Sequence, residues 1–504
     1  MSSYLLAFIV SDFESIENES GDFKVWARPN AIEHGEYALT IGPQILDFLA
    51  GYTNVPYPLP KMDMVAIPDF SAGAMENWGL TTYREYGLLA NDNVTTVTYK
   101  KYIDTIVSHE LVHMWFGNLV TCDWWDYTWL NEGFAQYYQF VAGDAVKPES
   151  KLLQQFVLYG LQVVMETDAS ASVRAMNNHV SSPSEISSGF DTIAYAKSAS
   201  VIRMMQHSFG ATIFATALHN YLEENKYSTG TPEKLWAAIQ TQVDQNGTLG
   251  DLDQSVETVM NTWVTQSGYP VVTASLASGV VTLSQERFLL TRTASSVTNY
   301  TFWIPITYTT QADPDFESTS PRLWFGEKSA SINLGIDDEW FILNVQESGY
   351  YRVNYDAVTW SRIIAVLQST GFETIHEINR AQIIDDLLNL ARSGYIEYSL
   401  ALNGTQYLKQ ESNHLPWRAF FNGLAYLSRR FEGQTNKKLL DDYILNIIED
   451  VYENVGLSDV NGEGQLNELN RQMIVSSACN YGHEDCIAQA KSLFTNWRSD
   501  ASQW

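Results

Sequence analysis

The sequence predicts a multidomain α+β fold, in which a mixed domain is followed by a small β-rich domain and then by a helical domain. The chain has 504 residues, which is too long for a single hydrophobic core. Apolar residues recur at helical spacing through much of the first half, alternate through a middle stretch, and return to helical spacing near residue 357. With 45% hydrophobic and 18% charged residues, the composition is typical of folded proteins.

The first half of the chain mixes short extended segments with amphipathic helices. Residues 4–13 (YLLAFIVSDF) are mostly apolar and predict a β-strand, and the proline-interrupted residues 56–70 predict an extended conformation. Residues 95–117 predict a helix, because their apolar side chains fall on one stripe at helical spacing. Helical patterns also dominate residues 157–265.

In the second half of the chain, the spacing of apolar residues changes twice. Residues 268–356 contain β-rich runs separated by clusters of Ser, Gly, Pro and Asp, which predicts a small β-sandwich. Helical patterns return over residues 357–504. The mixed domain in this division spans residues 27–267, and residues 1–26 precede it.

The chain is strongly acidic, with a formal charge of −29 from 59 acidic and 30 basic side chains. Binding to nucleic acid needs a basic surface that neutralises phosphates, so we expect no nucleic-acid partner. No run of 18 apolar residues, the length that a membrane-spanning helix requires, occurs in the sequence. Both ends of the chain fall within apolar patterns, so we expect a fragment of a longer protein.

The segment SHELVH at 108–113 contains two histidines four residues apart. On a helix, His109 and His113 project from the same face, where two imidazoles can bind one zinc ion. The alternative for this spacing is a hydrogen-bonded pair of core histidines. Glu132, separated from His113 by eighteen residues, is the candidate third ligand; its alternative role is a helix N-terminal acid that interacts with the macrodipole. Asn131 beside it is suited to cap that helix.

Glu110 lies between the two histidines, on the inward side of the predicted helix. Three protein ligands leave one zinc position for water, whose pKa zinc lowers to about 7. A carboxylate beside this water can take its proton during attack on a carbonyl and pass it to the leaving amine. Glu110 is therefore the candidate general base, and the alternative is a solvated surface acid.

A second motif, GAMEN, lies some thirty residues before SHELVH. GAMEN followed by HExxH and by a Glu after eighteen residues resembles the aminopeptidase N family of zinc peptidases, and the resemblance covers nearly the whole chain. It implies one zinc ion and peptide substrates with a free N-terminus. The motif residues that it implies for substrate binding are Gly73, Ala74, Met75, Glu76 and Asn77.

The resemblance also assigns individual roles. Glu76 would bind the free α-amino group, so that only the first peptide bond reaches the metal. The backbone of Gly73 and Ala74 would align the substrate as an added strand. Tyr195 would stabilise the tetrahedral oxyanion, although Ser198 stands where Gly is usual in the Tyr-x-Lys-Gly pattern. Phe190 would line the pocket for the first side chain, which implies a preference for neutral or apolar residues.

The resemblance refines the predicted fold. It implies a thermolysin-like catalytic domain at residues 27–267, a β-sandwich at 268–356 and a partial superhelical domain at 357–504. Residues 1–26 would be the end of an N-terminal β-domain. From their spacing alone, Cys479 and Cys486 could form a bridge or remain unrelated thiols; the resemblance implies a disulfide.

The likeness to insect gut members of the family implies a location for the parent protein. They are held at the outer face of the plasma membrane, on the gut-lumen side, by a C-terminal lipid anchor. Some of them are receptors for bacterial insecticidal toxins, so a toxin is a candidate partner and a surface receptor is the alternative function. A receptor with an incidental site predicts decayed motifs, whereas all three zinc ligands and Glu110 are present. The related epoxide hydrolase of the leukotriene pathway shares the motifs, but the long helical C-terminal region argues against it.

Overall fold

The structure is a computed structural model that describes residues 2–247, 252, 254–292 and 298–500. The chain divides into two compact units, the first ending at Asp356 and the second beginning at Ala357. The first unit mixes helices with small sheets and the second is helical, so the predicted α+β class is confirmed. The finer division into four domains remains a prediction.

The first unit contains the strands of the described chain and ten of its α-helices. The strands are β1 (Glu14–Glu17), β2 (Phe23–Ala27), β3 (Met62–Ile67), β4 (Ala74–Met75), β5 (Leu80–Arg84), β6 (Val120–Cys122), β7 (Ser228–Gly230), β8 (Pro270–Ala277), β9 (Gly279–Arg287), β10 (Ile304–Ile306), β11 (Tyr308–Thr310), β12 (Leu323–Phe325), β13 (Ser329–Ile336), β14 (Phe341–Leu343) and β15 (Arg352–Tyr355). The helices are α1 (Glu36–Thr53), α2 (Val97–Val112), α3 (Trp129–Val146), α4 (Leu152–Phe156), α5 (Gln162–Asp168), α6 (Pro183–Gly189), α7 (Ser198–Phe209), α8 (Ala211–Asn225), α9 (Pro232–Asn246) and α10 (Val256–Val264). Two π-helical turns, Val157–Leu161 and Ile193–Lys197, precede α5 and α7.

A five-stranded sheet in the order β1-β2-β3-β5-β4 supports the first part of this unit. Strands β2, β3 and β5 are parallel, and β1 and β4 are antiparallel edges. The inner strands are rich in buried apolar side chains such as Val25, Met64 and Tyr83, as expected for a sheet covered on its faces. Because β4 lies at the edge, one side of the Ala74–Met75 backbone has no strand partner in this sheet.

Helix α2 contacts strand β4 of this sheet, α3 packs on α2, and α7 packs on α3. Gly133 on α3 allows the approach of α7, since a Cβ at that position would lie 2.6 Å from the Cβ of Ser198. The first turn of α3 and the last turn of α2 are buried, with Glu110 and Glu132 each only 4% exposed. Charged groups are rarely buried to this extent unless they are paired or bind a metal.

The β-rich stretch predicted for residues 268–356 is present. It forms a four-stranded sheet in the order β13-β9-β8-β15 and two two-stranded sheets, β10-β12 and β11-β14. Strands β8 and β9 form a long antiparallel pair, while β15 runs parallel to β8.

The second unit consists of helices. They are α11 (Ala357–Leu367), α12 (Glu377–Arg392), α13 (Tyr398–Thr405), α14 (His414–Phe431), α15 (Lys437–Val455), α16 (Gln465–Tyr481) and α17 (Glu484–Ser499). A disulfide joins Cys479 on α16 to Cys486 on α17, with the two Cα atoms 5.3 Å apart. No helix among the described residues is both long and apolar enough to cross a membrane.

The strand predicted for residues 4–13 is wrong. Ser3–Leu5 forms a short 3-10 turn, and residues 6–13 belong to no strand. The side chains of Leu6, Phe8 and Val10 are 73%, 86% and 91% exposed. Apolar composition alone does not make a strand, which needs a neighbouring backbone for its hydrogen bonds; the described residues offer none to this segment.

Candidate metal centre

His109, His113 and Glu132 meet in one buried group. His109 lies in the last turn of α2 and His113 caps the end of this helix. Their rings are nearly perpendicular, and the Nε2 atoms are 3.2 Å apart. Oε2 of Glu132, from the first turn of α3, lies 3.3 Å from each of these nitrogens. The structure thus brings together the three predicted ligands.

The group fits a zinc ion. Ligand bonds of about 2.0–2.1 Å in a tetrahedron place neighbouring ligand atoms about 3.3 Å apart, close to the separations of 3.2 and 3.3 Å seen here. Oε2 of Glu132 is buried, and no described residue donates a hydrogen bond of acceptable geometry to it. A buried carboxylate oxygen in that state normally has an ion or another partner. Two imidazoles and one carboxylate also match the donor set of catalytic zinc sites.

The neighbouring histidines favour the ionised form of the Glu132 carboxyl group. Burial alone would raise the pKa of its carboxyl, but the charge of His113, with the close contacts of both imidazoles, lowers this pKa to about 2. For His113, burial lowers the pKa, but the charges of Glu132 and Glu76 outweigh it and raise the pKa to about 10. The Glu132 carboxylate is therefore negative, and the glutamates stabilise positive charge at His113, as a cation site requires.

The other ring nitrogen of each histidine, Nδ1, is also fixed by a hydrogen bond. Nδ1 of His109 lies 2.8 Å from Oε1 of Gln139, and Nδ1 of His113 lies 2.9 Å from the carbonyl oxygen of Phe116. Since both partners are acceptors, each Nδ1 carries a proton, and in the neutral imidazole that binds a metal each Nε2 then offers its lone pair to the metal position. This tautomer is the one that zinc binding needs.

The role of Gln139 was not predicted from the sequence. Gln139 lies on α3 seven residues after Glu132, and side chains two turns apart share a helix face, which is the signal that could have revealed it. We expect Gln139→Leu to weaken zinc binding by about 10- to 100-fold, because the partner that orients His109 is lost. Competition with a chromophoric chelator measures the zinc dissociation constant.

Gln136→Leu is the matched control for this prediction. Gln136 lies on the same helix, is partly exposed and makes no contact with the metal group, so its replacement should leave zinc affinity unchanged. Gln139→Glu, in which a carboxylate would accept the same hydrogen bond, should bind zinc at least as tightly as the unaltered chain. Equal zinc affinity for Gln139→Leu and Gln136→Leu would contradict an orienting role.

A second acidic cluster adjoins the metal group. Glu76, Glu110 and His113 have ligand atoms that all lie within 4.8 Å of one another. Burial raises the pKa of Glu110 well above its usual range, and the nearby charges of Glu76 and Glu132 add to this, against the charge of His113. Oε2 of Glu110 is buried and has no hydrogen-bond partner among the described residues. The alternative of a solvated surface acid is therefore wrong for Glu110.

The GAMEN segment is fixed beside this cluster. The side-chain amide of Asn118 donates to the carbonyl oxygen of Glu76 at 2.8 Å, and Thr82 donates to the side chain of Asn77 at 3.1 Å. Ala74 and Met75 form the edge strand β4, which pairs with β5. Gly73 has little room for a side chain, since its Cβ would lie 3.1 Å from Oη of Tyr102.

Tyr195 lies over the metal group from the π-helical turn before α7. Its ring stacks on that of His109, with centroids 6.0 Å apart and planes 11° from parallel. Burial, followed by the charges of the three glutamates of the site, raises the pKa of Tyr195, so its hydroxyl remains a neutral donor. Ser198, which replaces the usual Gly, donates to the carbonyl oxygen of Ile193 at 2.8 Å and so helps to close this turn.

Phe190 lies in an aromatic group with Trp125 and Tyr4, and Tyr4 contacts Glu76. Its ring centroid is 6.0 Å from that of Trp125, and Trp125 is 5.2 Å from Tyr4. Phe190 is 41% exposed, so a ligand could cover it. Tyr4 and Trp125 were not predicted, since single aromatic residues outside a motif give no signal in the sequence.

The predicted capping role of Asn131 is wrong. Helix α3 begins earlier, at Trp129, and its N-cap residue Thr128 makes no side-chain capping bond. The side chain of Asn131 instead accepts a hydrogen bond from the backbone of Cys122 at 3.1 Å and donates to Oη of Tyr4 at 3.3 Å. Residues before the predicted start extended the helix and moved Asn131 into its first turn.

Comparison with known proteins places this geometry in a family. Residues 37–263 match the model of the peptidase family M1 domain, and residues 340–503 match the ERAP1-like C-terminal domain. Aminopeptidase N of Plutella xylostella is 40% identical over the whole chain and 54% of its own length. Membrane alanyl aminopeptidase of Manduca sexta and human aminopeptidase N are 38% and 37% identical over 99% of the chain and 52% of their lengths. The chain spans about half the length of the curated relatives it matches, and its residues 37–263 form a peptidase family M1 domain.

Proposed function

We propose that this chain carries the active site of a zinc-dependent aminopeptidase, which releases single neutral or apolar residues from peptides with a free N-terminus. The observation that carries the proposal is the geometry of the metal centre. Three ligand atoms lie 3.2–3.3 Å apart, and two further carboxylates, Glu76 and Glu110, adjoin them. The similarity to aminopeptidases N supports the same function.

His109, His113 and Glu132 would hold the metal. A bound zinc ion supplies Lewis-acid chemistry, which makes water a better nucleophile and polarises the scissile carbonyl. Glu110 takes the proton of the attacking water and passes it to the leaving amine, since it is buried beside His113 and has an oxygen without a partner. Its raised pKa brings it toward the range in which a general base works well.

Glu76 and strand β4 explain why an exopeptidase is proposed. A carboxylate within 4.8 Å of the atoms of Glu110 and His113 can bind an ammonium group and hold it one residue away from the reacting carbonyl. The edge position of β4 leaves the backbone of the GAMEN segment able to add the substrate as a strand. An internal peptide bond would place no ammonium at Glu76.

Tyr195 and Phe190 complete the proposed site. The neutral hydroxyl of Tyr195, beside His109, donates to the oxyanion that forms as the carbonyl is attacked. The exposed face of Phe190, beside Trp125, offers an apolar wall for the first side chain of the substrate.

Hydrolysis of leucyl and alanyl anilides by the zinc-loaded chain tests the proposal. We expect cleavage of these substrates and at least a hundredfold loss, about 3 kcal/mol, when the amine is acetylated, because Glu76 then has no ammonium to bind. Zinc removal with a chelator should abolish cleavage, and added zinc should restore it. Equal cleavage of free and acetylated anilides would contradict an aminopeptidase, and cleavage without zinc would contradict the metal centre.

A cell-surface receptor with an incidental site is the second hypothesis, and the geometry favours the enzyme. A decayed site would not be expected to retain a compact ligand group, a buried general base and oriented histidines. The disulfide of the second unit supports a parent protein that faces an oxidising compartment, such as the outer side of the plasma membrane. Binding of a bacterial toxin and a lipid anchor remain predictions from the resemblance.

A further inference from the structure

Tyr4 contacts the carboxylate that we propose for the substrate amine. Its hydroxyl donates to Oε1 of Glu76 at 3.2 Å and accepts a hydrogen bond from the side chain of Asn131 at 3.3 Å. Its ring packs on Trp125. A chain of hydrogen bonds thus runs from α3, next to the ligand Glu132, through one phenol to Glu76.

The same short segment holds the next residue of the motif. Leu5 is buried, and its carbonyl oxygen accepts a hydrogen bond from the side chain of Asn77 at 3.3 Å. Two consecutive residues of GAMEN therefore depend on the turn Ser3–Leu5, although this turn lies about seventy residues before the motif in the sequence.

The group that donates a hydrogen bond to Glu76 should be neutral, as the hydroxyl of Tyr4 is. Glu76 lies among the negative charges of Glu110 and Glu132, so its carboxylate needs a fixed donor to keep one orientation. A Lys or Arg would neutralise the carboxylate and compete with a substrate ammonium. A neutral phenol fixes Oε1 and leaves the negative charge in place, while Oε2 accepts no hydrogen bond from any described residue.

We propose that Tyr4 is a positioning residue for recognition of the substrate amine: it orients the Glu76 carboxylate so that its other oxygen faces the bound ammonium. This inference rests on the proposed function, in which Glu76 binds the amine. It assigns a role to a residue outside the motifs, from a segment that the sequence predicted to be a strand.

The test compares two ligands on zinc-loaded Tyr4→Phe, which keeps the ring and removes the hydroxyl. Leucine hydroxamate carries a free amine, and N-acetyl-leucine hydroxamate has the same zinc-binding group without it. We expect Tyr4→Phe to weaken binding of the first by about 10- to 150-fold, the value of one hydrogen bond to a charged group, and to leave the second unchanged. KM for leucyl anilide should rise by the same factor, with kcat changed less than about threefold.

Tyr37→Phe is the matched control. Tyr37 is also half-buried and donates to a buried carboxylate, that of Asp104, at 2.6 Å, but Asp104 is not part of the metal cluster. This variant should bind both hydroxamates like the unaltered chain.

The outcomes separate the inference from the proposed function. If the unaltered chain prefers the free amine and Tyr4→Phe prefers it equally, the inference about Tyr4 is wrong and the aminopeptidase proposal stands. If Tyr4→Phe weakens both hydroxamates alike, its effect is on the metal group, and the positioning role is also wrong. If the unaltered chain binds both hydroxamates equally, the amine-binding role of Glu76 fails and the inference fails with it.

Discussion

Replacement of Glu110 by Gln is expected to lower kcat/KM for a leucyl anilide by about 10²- to 10⁴-fold while bound zinc is retained. Gln has the shape of Glu but cannot take a proton from water. Glu110 is buried and is not one of the three proposed zinc ligands, so the loss should concern the chemical step. Steady-state kinetics measures the effect, and metal analysis of the same sample counts the zinc.

The control for this variant is Glu224→Gln. Glu224 is exposed on α8, and the same change of charge there should leave both kinetics and zinc content unaltered. Loss of activity in Glu110→Gln together with loss of zinc would show that Glu110 supports the metal rather than the reaction. Full activity of Glu110→Gln would require a different general base.

Replacement of Lys197 by Met is expected to destabilise the chain by about 3–5 kcal/mol, because it leaves a buried carboxylate without its counter-ion. Lys197 and Asp168 are both fully buried, with Nζ 3.0 Å from Oδ2. Lys197 also donates to the carbonyl oxygen of Gly268, and the hydroxyl of Tyr350 donates to Asp168. Chemical denaturation followed by tryptophan fluorescence measures the change in the free energy of unfolding.

A double variant separates lost packing from the unpaired charge. In Lys197→Met/Asp168→Asn neither position carries a charge, so part of the lost stability should return. Lys226→Met removes a lysine from the exposed pair with Glu223 and should change stability little. If Lys197→Met were no more harmful than Lys226→Met, the buried pair would not be a stabilising unit.

The two histidines of the candidate metal centre could be predicted because helical spacing is local. Two histidines four residues apart must share a helix face, and the structure places His109 and His113 together with Glu132. Gln139 lies on the same face as Glu132, but a glutamine has no chemistry that marks it as an orienting group. Its role depends on the packing of α3 against α2, which spacing along one helix does not reveal.

The N-terminal segment shows why other features could not be predicted. Apolar composition indicated a strand, but strand formation depends on a partner backbone, and Leu6 and Phe8 remain exposed. The contact between Tyr4 and Glu76 joins residues that are far apart in the sequence, so no local pattern could indicate it. Asn131 was misassigned for a related reason, since helix ends depend on residues beyond the apolar pattern.

The π-helical turn Ile193–Lys197 makes the number of residues between Asp191 and α7 as important as their identity. A π-turn contains one residue more than an α-helical turn, and Tyr195 lies in the middle of it. Deletion of Ala194 or Ala196 would let the turn relax into an α-helix, and everything on one side would rotate by about 100° relative to the other. The ring of Tyr195 would then leave the ring of His109, so this short segment should tolerate substitutions of its alanines better than any change in length.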